Sequence, residues 1–99
     1  DMTPEDIKTR ITELETAAQG LGEPDKSFKL SDVAQLRIQL EGMALQDLTA
    51  KLNQMALPDI AEMDRKIADA AKAAEDQQFR LDAFNTALGF IKTAVGIIL

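Results

Sequence analysis

The chain contains no cysteine, no histidine, no tryptophan and no tyrosine, and four phenylalanines are its only aromatic residues. Without cysteine there is neither a disulfide framework nor a thiolate site. Without histidine the usual zinc sites, the histidine-based nucleophile triads and the Glu-x-x-His pattern of di-iron bundles are all excluded. Glycine is sparse, and nothing resembles a glycine-rich phosphate cradle or a calcium-loop spacing. The only serines, Ser27 and Ser31, have no candidate base nearby. Acidic pairs such as Glu13/Glu15 and Glu75/Asp76 read as solvated charge on helix faces. No enzymatic activity is expected, and no cofactor, metal or small-molecule substrate.

Charge of one sign dominates. Seventeen acids against eleven bases give a net charge of −6 over 99 residues. Such a surface repels a phosphate backbone, so no nucleic-acid partner is expected, and it keeps the chain dispersed in water. The charges thin out toward the end: from Gln77 to Leu99 the only ionisable side chains are Arg80, Asp82 and Lys92. The first apolar residues, Ile7, Ile11 and Leu14, are separated by charges and do not read as a secretory leader. A cytoplasmic location is the expectation, with membrane association as the alternative.

What the chain does have is helix-forming composition, 45% apolar and 28% charged, together with a long heptad. From Ile60 the steps alternate three and four through Met63, Ile67, Ala70, Ala74, Gln77, Leu81, Phe84, Leu88, Ile91, Val95 and Ile98; eleven of these twelve positions are apolar. Spacing that averages three and a half residues keeps one helical seam against a partner. The expected architecture is therefore all-α in a single domain, residues 1–99. A long C-terminal helix over about 59–98 forms an antiparallel hairpin or coiled coil with a helix over about 31–56, and the turn is at 57–59. An additional short helix over about 4–19 precedes a linker at 20–30, in an arrangement like a three-helix bundle.

Local signals support these bounds. Thr3 is a good N-cap, Pro4 suits the first helical position, and Glu5 and Asp6 favour the positive helix end. Gly20, Gly22 and Pro24 interrupt the next stretch, and Leu57-Pro58-Asp59 reads as a turn. At 1.5 Å per residue the last helix would be roughly 60 Å long and its partner roughly 37 Å. The end of the last helix would then overhang unless the first helix covers it.

That overhang is the candidate functional surface. Phe84, Leu88, Ile91, Val95 and Ile98 lie on the seam, and Phe90 and Ile97 form a second apolar stripe beside it. Gln77, the one polar member of the seam, is the candidate register residue, its amide pairing across an interface. The expectation is a non-enzymatic structural, oligomerising or adaptor subunit acting through this helix, its partner a second copy or another helical protein. The alternative is a small membrane-anchored or membrane-active protein, with an acidic coiled-coil head and a lipid-contacting segment over 83–99.

Overall fold

The computed structural model describes residues 2–97, and these contain five helices and no strand. They are α1 (Pro4–Gln19), α2 (Asp25–Glu41), α3 (Leu45–Leu52), α4 (Leu57–Ala70) and α5 (Gln77–Val95). Helix α1 begins with a capping box. The Asp6 N–H donates to the Thr3 hydroxyl at 3.1 Å, and the Thr3 N–H donates to the Asp6 carboxylate at 3.0 Å. Its apolar stripe, Ile7, Ile11, Leu14 and Ala18, is fully buried, because α1 packs against each of the other four helices.

The long C-terminal helix does not form. The heptad from Ile60 is broken at residues 71–76, and the resulting halves, α4 and α5, pack more extensively on each other than any other pair of helices. Nothing in Ala71-Lys72-Ala73-Ala74 breaks a helix by propensity. Burial decides it: an extended amphipathic helix of that length would leave its seam in water. Folded back, it places Met63, Ile67 and Ala70 in one core with Phe84, Leu88, Ile91 and Val95. Asp76 caps the new helix by accepting from the Phe79 N–H at 2.8 Å. The Cα radius of gyration is 13.0 Å and the longest dimension 38 Å, too short for a helix of roughly 60 Å.

The other bounds shift for local reasons. The expected linker at 20–30 holds the first turn of α2. The Glu23 carboxylate accepts from both the Ser27 N–H and its hydroxyl at 2.8 Å, satisfying a donor of the first helical turn. The helix expected over 31–56 is divided at Gly42–Ala44, where Ala44 is extended. Apolar spacing of four drifts around a straight helix, and the elbow returns Leu48 and Leu52 to the core. The connection expected at 57–59 lies at 53–56, with Pro58 inside the first turn of α4. Helix α5 stops at Val95, with Gly96 left-handed (φ 75°) and the Ile97 N–H bonded to the Lys92 carbonyl at 2.9 Å. That is a Schellman end, and the positive φ favours glycine.

Two arginines lace the surface of α1. Arg10 makes a two-pronged ion pair with Asp64 of α4 at 2.7 and 3.0 Å. Arg37 of α2 reaches Glu15 at 2.7 Å and Thr12 at 3.2 Å.

Two measurements test this arrangement. Inserting two glycines after Ala73 lengthens a loop here, whereas it would put one continuous helix out of register. The expected cost is below about 1 kcal/mol by urea unfolding, and a loss of several would refute the break. The bond from the Thr3 N–H, aided by the Thr3 hydroxyl, holds the Asp6 carboxyl below its ordinary pKa. That stabilisation is present above about pH 4 and is lost as pH falls through the lowered value. Asp6→Ala should therefore be less stable than the intact chain at neutral pH, with the pH-dependent part of the gap closing in acid. A gap independent of pH would remove the ionised cap.

Candidate functional site

The residues expected to present an interaction seam lie in the protein's own interior. Phe84 and Ile91 are fully buried, Leu88 and Val95 nearly so, and Phe90 and Ile97 are partly buried against the same core. Ile98 falls outside the described residues. Helices α1, α3 and α4 all pack against α5, so these side chains do not form an outward-facing stripe.

Gln77 sits at the first position of α5 and serves a different purpose from interhelical register. Its amide oxygen accepts from the Gly22 N–H at 2.7 Å, and its amide nitrogen donates to Asp25 at 2.8 Å. It pins the loop between α1 and α2 to the start of α5. One turn on, Arg80 is the only charged side chain that is buried among the described residues. Its Nε donates to the Ala70 carbonyl at 3.0 Å and its Nη1 to the Gly20 carbonyl at 3.3 Å. A single cation thus meets the C-terminal ends of both α4 and α1, where unpaired carbonyls concentrate negative charge. A Cβ on Gly20 would lie 2.7 Å from the guanidinium, so a larger residue there would make Arg80 shift. The sequence signal for Arg80 is its place four residues before Phe84, on the buried face of the helix.

Among the described residues the exposed large apolar side chains are Phe28, Ile38, Leu45, Leu57 and Phe79, and two of them, Ile38 and Leu45, flank the elbow between α2 and α3. Ile38 and Leu45 are 68% and 69% exposed, and Met43 lies between them, half-buried. Beside Leu45 a groove of about 500 Å³ opens between α1 and the elbow. Ile7, Ile11, Leu40 and Leu48 form its floor, Lys8 stands on the α1 side, and Arg37 and Glu41 stand on the α2 side. On the other side of Met43 a shallower hollow is lined by Ile38, Gly42, Lys51 and Ile97. There the Lys51 ammonium donates to the Val95 carbonyl at 3.3 Å and closes the end of α5.

A third concavity, between α5 and the α3–α4 connection, is more open and more mixed in character, with Lys51, Asp59, Thr86 and Thr93 around Gly89. Among the described residues no three carboxylates converge as a metal cage, and no buried side-chain polar atom lacks a partner. What the elbow can do is accept apolar side chains. Sequence periodicity passed over it because Ile38 and Leu45 fall off the core stripes, where single exposed apolar residues carry no signal.

Replacing Arg80 by methionine strands two helix-end carbonyls without their donor. The expected loss is about 2–4 kcal/mol in urea unfolding followed by far-UV circular dichroism. Arg65→Met, on an exposed face, should cost almost nothing. Equal effects would deny Arg80 its place as a clasp.

No protein-family model matches the chain, and no curated protein or solved structure is significantly similar to it, so its function is read from this geometry.

Proposed function

We propose that this protein is a non-enzymatic adaptor or assembly subunit that binds another protein through the α2–α3 elbow and the groove beside it. The observation that carries the reading is exposed Leu45 at the rim of a groove lined by Ile7, Ile11, Leu40 and Leu48, with exposed Ile38 at a second hollow that shares Met43 with it. Contiguous apolar surface with charged rims is characteristic of a protein-binding face.

In this reading α4 and α5 form the antiparallel hairpin, shorter than a continuous coiled coil, and act as the scaffold that holds α1 and the elbow. The interaction surface accordingly moves from the α5 seam to the opposite ends of α2 and α3. The lipid-contacting alternative has less behind it. Among the described residues that suggested it, Phe84, Leu88, Ile91 and Val95 are buried, and no described helix is long and apolar enough to cross a membrane.

Placing a photo-crosslinking residue at position 45 and irradiating cells that produce the protein tests this directly. Adducts are expected at position 45 and not at the exposed Gln78 used as a control. Adducts of equal yield at both positions, or none at either, would overturn the elbow as the binding face.

A further inference from the structure

Resting on the elbow as an interaction face, we infer that the occupant of the groove is a second copy of this chain, docked about a two-fold axis with Leu45 of each copy seated in the groove of the other. An isologous interface needs every element and its complement on one patch, and the elbow has them. The knob, Leu45, is 69% exposed at the rim of the hole it helps to line, whose other apolar walls include Ile7, Ile11 and Leu40. The charges are paired in the same manner. Lys8 borders the groove on the α1 side and Glu41 on the α2 side, so a two-fold axis running along the groove brings each lysine to the partner's glutamate.

Neither charge is well used within one copy. Among the described residues Lys8 pairs only with Glu5, at 3.5 Å, with both side chains mostly exposed, which is a weak pair. Glu41 is exposed and makes no ion pair among the described residues. Arg37 is already held by Glu15 and Thr12, so it forms a fixed wall and leaves the Lys8–Glu41 complementarity intact. Elsewhere two copies, each with a net charge of −6, repel. The elbow carries acid and base on opposite sides of an apolar cleft, which removes that repulsion locally.

The test is sedimentation velocity of the intact chain with interference detection, across roughly 10 to 500 µM, the range in which modest interfaces dissociate. A reversible species of twice the chain's mass is expected. Leu45→Asp should remain at monomer mass throughout with unchanged circular dichroism, since position 45 is exposed and an acid suits the first turn of a helix. Glu41→Lys should weaken the dimer roughly tenfold by setting like charges against each other, and combining it with Lys8→Glu should restore it. An intact chain that is monomeric throughout, a dimer that survives Leu45→Asp, or a double variant that fails to recover overturns the second copy. Cross-links from position 45 of some mass other than a dimer would then still leave the elbow as a face for a different protein, which separates the two readings.

Discussion

The start of α5 is where the rest of the fold is fastened, and the fastening is Arg80. Its guanidinium lies out of water between the last carbonyl of α4 and the loop that ends α1. Two helix C-termini and one helix N-terminus would otherwise converge with unpaired backbone groups. A cation with planar, spread donors answers two of those ends at once, which a lysine ammonium does less well. Gln77 adds a second hold on the same loop through Gly22 and Asp25. With these points joined, α1 has no choice but to lie in the middle of the bundle, and its stripe of Ile7, Ile11 and Leu14 becomes the centre of the core.

The fold-back of the heptad follows from the same constraint. The Ala70 carbonyl that accepts from Arg80 would be bonded within the helix if the helix continued. Breaking there costs several backbone hydrogen bonds in an alanine-rich segment that favours helix. The gain is a core shared by α4 and α5 that water no longer reaches. The small side chain of Ala70, fully buried, lets the two helices converge near the break, while Phe84 fills the wider space beyond it. Lys29, 5.9 Å from the Phe84 ring centroid, covers that space from α2.

Helix α1 was legible almost to the residue, because Thr3-Pro4-Glu5-Asp6 and Gly20 are signals that act within a turn. The break at 71–76 was not, although Asp76 is a good N-cap, because the seven-residue pattern runs through it without a phase error. A stripe cut in two and folded on itself has the same sequence signature as a stripe facing a distant partner. The elbow at Gly42 was hidden for a related reason: glycine inside a helix and glycine at its end differ only in what the next turn must bury. The candidate surface moved accordingly. Phe84, Leu88, Ile91 and Val95 pack in the core of the chain itself. Ile38 and Leu45, two of the apolar residues left exposed, carry no periodic mark.

The sequence by itself determined that the chain is helical, where its first helix begins and ends, and which residue types are absent for metal and nucleophile chemistry. These depend on composition and on backbone contacts three or four residues apart. Tertiary structure alone decided where the later helices break, what each stripe faces, and which apolar side chains remain outside. Those outcomes depend on loop closure and on the joint burial of residues dozens of positions apart, as when Arg80 binds the carbonyl of Gly20. A pattern that repeats every seven residues is the same on either side of such a closure, so it cannot encode which way the chain turns.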